Sequence, residues 1–169
     1  MKIIIMFILA VTFSPLWPLG QNPLVGDPYI IVNKQVNELA FINNGHIQGI
    51  YPVGTGVSTD LTPEGEFSVT VKAANPYYRK KDIPGGSKDN PLGSRWIGFD
   101  AKETDGRIYG IHGTNNEASI GHYVSGGCIR MYNSDVDLLF SRVPVGTKVL
   151  ILTTDKSFEE IGRIHEALE

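Results

Sequence analysis

Residues 38–53 read ELAFI, then Asn43-Asn44-Gly45, then HIQGIYPV. Asn and Gly both tolerate positive φ, so an Asn-Gly pair between two apolar runs predicts a tight β-hairpin. This commits the front of the chain to antiparallel pairing, and other segments keep the same rhythm. Residues 29–32 (YIIV) form a β-branched run, and residues 65–71 (GEFSVTV) alternate polar and apolar side chains. Alternation with period 2 is the mark of a half-buried strand. Residues 96–99, 107–112 and 148–152 (KVLIL) read as further short strands. Two segments have helical spacing instead. Asn133-Ser134-Asp135 can cap a helix through residue 142, with Val136, Leu139, Phe140 and Val143 on one face and Pro144 and Gly146 ending it. Ser157-x-x-Glu160 is a capping box that opens a last amphipathic helix, expected to reach residue 168. No internal repeat and no second domain are visible. The expectation is one mainly β domain, a β-rich α+β fold with two helices.

Charge and cysteine content narrow the function. The chain has 15 Lys+Arg against 18 Asp+Glu, a net charge of −3. A dedicated nucleic-acid binder usually shows a basic face, so no nucleic-acid partner is expected. The single Cys excludes an internal disulfide and any Cys-only zinc site.

Residues 1–13 (MKIIIMFILAVTF) place one Lys before an apolar run. That is the pattern of a secretory signal, and the run is too short to span a bilayer comfortably. Residues 14–23 (SPLWPLGQNP) contain three prolines and no clean A-x-A cleavage site. Residues 1–22 are therefore expected to be a signal peptide or an N-terminal anchor, with a buried N-terminal strand as the alternative. A lone Cys in an exported chain is either a liability or a reagent.

Residues 73–92 hold Pro76, Pro84, Gly85, Gly86 and Pro91, with Arg79, Lys80, Lys81 and Lys88. A loop longer than about 12–15 residues in a compact domain is often a lid or binding loop, although a plain solvated loop fits equally.

Residues 111–131 (IHGTNNEASIGHYVSGGCIRM) concentrate the chemistry. Cys128 follows Ser125-Gly126-Gly127, and glycines let a substrate backbone approach a sulfur closely. Their N–H groups suit a developing oxyanion. His112 ends a strand before Gly113, a rigid mount for a general base that would deprotonate a thiol. Arg130, two residues past the Cys, would share its face on a strand, where it could hold a carboxylate or lower the thiol pKa. A free Cys is also commonly a small buried hydrophobe, and a lone His a surface residue. Zinc held by His112, His122 and Cys128 is conceivable from the residue types alone.

His112-Gly113 followed by Ser125-Gly126-Gly127-Cys128-Ile129-Arg130 resembles the signature of the L,D-transpeptidases, the YkuD-type domain. The resemblance extends to Tyr51-Pro52-Val53-Gly54-Thr55-Gly56, to Thr62-Pro63-Glu64-Gly65-Glu66-Phe67, to Asn90-Pro91-Leu92-Gly93 and to Val145-Gly146-Thr147-Lys148-Val149. It covers residues 29–152, essentially the whole domain after the signal. One departure stands out. Many members carry His two residues before the Cys, where this chain has Gly126. His122, in the same loop, is the candidate to replace it.

The resemblance implies a β-sandwich or barrel of mixed sheets, with a helix after the catalytic loop and a C-terminal helix. The catalytic domain would cover residues 27–153 and the C-terminal helix residues 154–169. It implies a cysteine acyltransferase that acts on peptidoglycan stem peptides, releases terminal D-Ala and cross-links stems. Cys128 would be nucleophile and His112 base. Gly127, Ser125, Arg130 and Gly113 would serve the oxyanion or orient the substrate. No cofactor and no metal are implied, and a monomer is expected. The enzyme would work outside the cell membrane, in the wall or periplasmic space, touching the membrane only through an N-terminal anchor. The basic loop at 79–81 would face anionic wall polymer or stem carboxylates. Trimming of stems by water, or an inactive wall-binding module of the same fold, are the alternative readings.

Overall fold

A computed structural model describes residues 24–58 and 60–169; the segment at 1–22, expected to be a signal peptide or anchor, lies outside them. In chain order the strands are β1 (Tyr29–Asn33), β2 (Glu38–Asn43), β3 (His46–Pro52), β4 (Thr55–Gly56), β5 (Gly65–Ala74), β6 (Arg95–Phe99), β7 (Tyr109–His112), β8 (Tyr123–Ser125), β9 (Ile129–Arg130) and β10 (Lys148–Leu152). Helix α1 (Asn133–Arg142) precedes β10, and α2 (Phe158–Ile164) comes after it. Eight strands build one mixed sheet in the order β3-β2-β1-β10-β5-β6-β7-β9. β4 and β8 form a separate two-stranded parallel ribbon. The β-rich architecture expected from the strand spacing is what the chain adopts.

The hairpin forms as the Asn-Gly pair requires. Asn44 and Gly45 have φ of 52° and 71°, and Asn43 pairs with His46 across the turn. β1 lies inside the sheet, parallel to β10 and antiparallel to β2. All five of its residues are buried, which is why it reads as a continuous apolar run rather than an alternating one. Ile30 and Val32 face the main core with Phe41, Ile97, Ile111 and Leu139. Tyr29 and Ile31 face the opposite side, where Phe158 and Ile161 of α2 cover the sheet. The sheet curls far enough for both of its ends to share the main core: residues of β1 and β2 cluster with Ile129 of β9 and Val136 of α1.

The capping box of α2 is present. Ser157 N donates to Glu160 Oε2 at 2.9 Å, and Glu160 N donates to Ser157 Oγ at 3.2 Å. The helix ends at Ile164 rather than 168, because Glu166 turns left-handed at φ 56° and Ala167 N folds back onto Gly162 O. α1 runs to Arg142 as expected and buries Val136 and Leu139, but the residue before its first turn is Tyr132, with no side-chain cap. β5 continues three residues past 71, to Ala74. β7 begins at Tyr109 rather than 107, since Arg107 N is drawn into a turn by Asp105 Oδ1 at 3.1 Å. The segment after β5 carries a short 3₁₀ turn, Arg79–Lys81, closed by a bridge between Tyr78 and Ile83. β4, β8 and β9 were not expected; each has only two or three residues and is held by distant partners. None of the described helices is long and apolar enough to cross a membrane.

Candidate active site

His112 closes β7, between β6 and β9. Trp96 of β6 is its cross-strand neighbour, and the indole stacks on the imidazole with centroids 5.5 Å apart and planes at 15°. The indole N–H donates to Gly106 O at 2.8 Å, which fixes the tryptophan in turn. His112 Nδ1 lies 2.5 Å from Gly113 O. A carbonyl can only accept, so Nδ1 carries the hydrogen and Nε2 holds the lone pair. Burial drives the imidazole down from 6.5 to about 4, with the Arg130 charge pushing the same way. Backbone hydrogen bonds with Gly113 and Leu92 oppose this only in part. The ring is therefore neutral at physiological pH.

The turn that carries Gly113 is held from α1. Asn133 Oδ1 accepts from Ser94 N at 3.1 Å and Thr114 N at 3.2 Å, and Nδ2 donates to Thr114 O at 2.8 Å. This is why Asn133 does not cap its own helix: its side chain is spent across the fold. The amide fits because Gly93 and Gly113 leave room. A Cβ on either would come within 2.2 Å or 2.1 Å of Asn133 Oδ1. Asn133→Ala should strand two backbone N–H groups and one carbonyl. We expect it to lower unfolding free energy by about 1–3 kcal/mol, measured by urea titration.

Cys128 sits immediately before β9. Ile111 and Ile129 pair and are fully buried in the core, so His112 and Arg130, also paired, present to the other side of the sheet. The thiol is on that side too. It donates to Ile108 O at 3.4 Å and contacts the Gly110 backbone. Cys128, just before β9, and His112, at the end of neighbouring β7, are thus two register positions apart. Desolvation raises the thiol pKa, and the Gly110 backbone, Lys80 and Arg130 pull it down incompletely. The resting site is a neutral thiol near a neutral imidazole, not a preformed ion pair.

The turn before Cys128 is tied by Ser125, which is buried. Its hydroxyl donates to Cys128 O at 2.6 Å and accepts from Gly127 N at 3.1 Å. Ser125 therefore orients the loop, not His112. The Gly127 amide is already engaged, whereas the Cys128 amide makes no hydrogen bond among the described residues. The two glycines differ. Gly127 has φ of 126° and is buried, and a Cβ there would lie 2.5 Å from Leu61 O. Gly126 is exposed, with nothing within 4 Å of the space its side chain would fill. Arg130 is pinned by its backbone, which exchanges two 2.8 Å hydrogen bonds with Gly54.

A cleft of about 350 Å³ opens over Cys128. Its walls include Trp96, Ile108 and, from the long loop, Tyr77, Tyr78, Arg79 and Lys80. The basic loop thus lines the same cleft as Cys128, while His112 and Arg130 pair on the neighbouring strands. His122 is different. It is exposed and serves only through its carbonyl, which accepts from Thr55 N at 3.1 Å. Among the described residues no three His, Cys, Asp or Glu side chains are grouped to hold a metal, so the zinc arrangement of His112, His122 and Cys128 does not form. Trp96 and Asn133 were missed as positioning residues. Only the β6–β7 register and the notches at Gly93 and Gly113 give them away.

Comparison with known proteins converges on one family. The profile of the L,D-transpeptidase catalytic domain (YkuD) matches residues 27–151. YqjB of Bacillus subtilis (strain 168), assigned to the L,D-transpeptidases, is 68% identical over 155 residues, covering 92% of this chain and 88% of that protein. YkuD of the same organism, assigned likewise, is 40% identical over 140 residues, covering 78% of this chain and 75% of that protein. In solved structures the fold recurs in an L,D-transpeptidase from Mycobacterium smegmatis, with a TM-score of 0.59 at 19% identity over 76% of this chain and 59% of that one. It recurs in an L,D-transpeptidase from Enterococcus faecium, with a TM-score of 0.60 at 25% identity over 77% of this chain and 51% of that one. This chain thus spans between half and two thirds of those two structures. The chain belongs to the L,D-transpeptidase family of enzymes.

Proposed function

We propose that the protein is exported and acts on peptidoglycan stem peptides, with Cys128 as nucleophile and His112 as its base. The observation that carries this reading is the half-buried Cys128 thiol in a cleft of about 350 Å³, one strand away from a neutral His112. The thiol sulfur attacks the carbonyl joining the third stem residue to terminal D-Ala, while His112 Nε2 takes the thiol proton. The C–N bond breaks, a thioester C–S bond forms, and the proton passes to the departing D-Ala amine. The Cys128 N–H faces the oxyanion, and such a donor is worth about 2.7–4 kcal/mol in the transition state. A side-chain amine of a second stem then attacks the thioester. It forms a new amide, gives up a proton through His112 and restores the thiol. Ser125 acts by holding the Cys128 turn, and Arg130 by its charge on both Cys128 and His112. Attack by water in place of the amine yields trimming instead of cross-linking.

Product analysis separates the two outcomes. Incubation with a stem tetrapeptide and an acceptor amine should give free D-Ala and an amide-linked dimer by mass spectrometry. D-Ala with tripeptide only, at saturating acceptor, would assign the protein to trimming. Absence of both would remove the enzyme reading.

A further inference from the structure

The Cys128 cleft is lined by apolar and aromatic side chains, by cations, and by no acidic residue. Three cations stand on it: Arg79, Lys80 and Arg107. Arg107 is already paired with Asp105 at 2.7 Å. Arg79 and Lys80 form no ion pair among the described residues, and their 3₁₀ turn holds no acid in its first turn. This is unexpected in a chain with more acids than bases, at a net charge of −3. Lys80 also stands close enough to Cys128 for its charge to favour the thiolate. Two unneutralised cations beside low-dielectric walls focus a positive field on the reacting sulfur. Such a field is a site for an anion carried by the substrate. In the acyl donor of the proposed reaction, the residue beyond the attacked carbonyl ends in a free carboxylate. One residue spans about 3.3–3.6 Å of extended chain, well within the reach of Arg and Lys side chains on the same wall.

We propose that Arg79 and Lys80 are specificity-determining residues that bind the terminal carboxylate of the acyl donor, so that a donor lacking that charge is used poorly. The selectivity arises from charge pairing. A donor with its terminus amidated, or with its carboxylate carried further away, loses its pairing with the two cations, which stand exposed on the cleft wall. This inference rests on the stem-peptide reading above.

The test compares one stem tetrapeptide as free acid and as C-terminal amide. The free acid should be favoured by about tenfold or more in kcat/KM, carried mainly by KM, and the ratio should narrow as salt is raised. R79A/K80A should bring the ratio close to one, while the charge-preserving R79K/K80R should keep most of it. Thermal melts check that both variants fold. If R79A/K80A does not fold, the wild-type ratio and its salt dependence decide. Equal kcat/KM for acid and amide in the wild type, or an undiminished preference in folded R79A/K80A, overturns the assignment and leaves the transpeptidase reading intact. Processing of neither donor would instead overturn the stem-peptide reading, and the carboxylate site with it.

Discussion

Cys128→Ala should end turnover on stem peptides, by at least about 10⁴-fold, the order of loss expected when an acyl-transferring enzyme is stripped of its nucleophile. The same variant should lose covalent capture. Wild-type protein exposed to a carbapenem should gain one inhibitor mass by intact mass spectrometry, and Cys128→Ala should gain none. The chain has a single Cys, so the adduct needs no mapping to assign it. The substitution should be mild for the fold. The thiol is half-buried and gives only one 3.4 Å hydrogen bond, to Ile108 O, whereas the turn is fixed by Ser125 and by backbone bonds. Unchanged turnover in folded Cys128→Ala would move the chemistry to another residue.

The second large effect lies in pH. His112 is neutral down to about 4 in the folded protein, against 6.5 for an ordinary imidazole. Activity limited by this base should stay level from neutrality to about pH 5 and fall only as the imidazole protonates near pH 4. An acid limb centred near 6.5 would show that His112 is not the base, or that the site is wetter than its burial implies. The free thiol should alkylate slowly with iodoacetamide at neutral pH, because its pKa is raised by burial. Stability carries the same signature. Below 6.5 the unfolded chain takes up a proton that folded His112 refuses until about pH 4. Stability therefore declines as pH falls through that window, by about 3 kcal/mol from this one group when the shift is converted at 1.36 kcal/mol per pH unit. Urea titration at pH 7 and at pH 4 reads the loss.

What was legible in the chain, and what was not, divides along the length of the interactions involved. The hairpin was legible because Asn44 and Gly45 alone satisfy its turn. The capping box of α2 was legible because Ser157 and Glu160 need only each other. The Cys128 neighbourhood was legible because Ser125, Gly126, Gly127 and Arg130 are contiguous with the thiol. β9 was not, since two residues show no period and Arg130 is in a strand only because His112 lies beside it. Asn133 pointed to a helix cap by local rules, yet its amide bonds Ser94 and Thr114, brought near by the sheet. The Trp96–His112 stack depends on the β6–β7 register, which no single segment specifies. The basic cluster at 79–81 was visible as charge, but its place on the wall of the cleft depends on how the loop turns back over Cys128.

The parallel pairing of β1 with β10 sets the order in which the molecule can be completed. Tyr29 opposes Lys148 and Asn33 opposes Leu152, so the centre of the sheet joins strands roughly 120 residues apart. β5 also pairs with β10, and so β10 is the seam between the hairpin half and the half that bears Cys128. Until that strand has been synthesised the two halves of the eight-stranded sheet share no strand pairing. A ribosome still holding residues 148–152 would carry a chain that cannot close its sheet. Closure of the sheet thus waits for β10, and the thiol meets its finished surroundings only once residues 148–152 are free to pair.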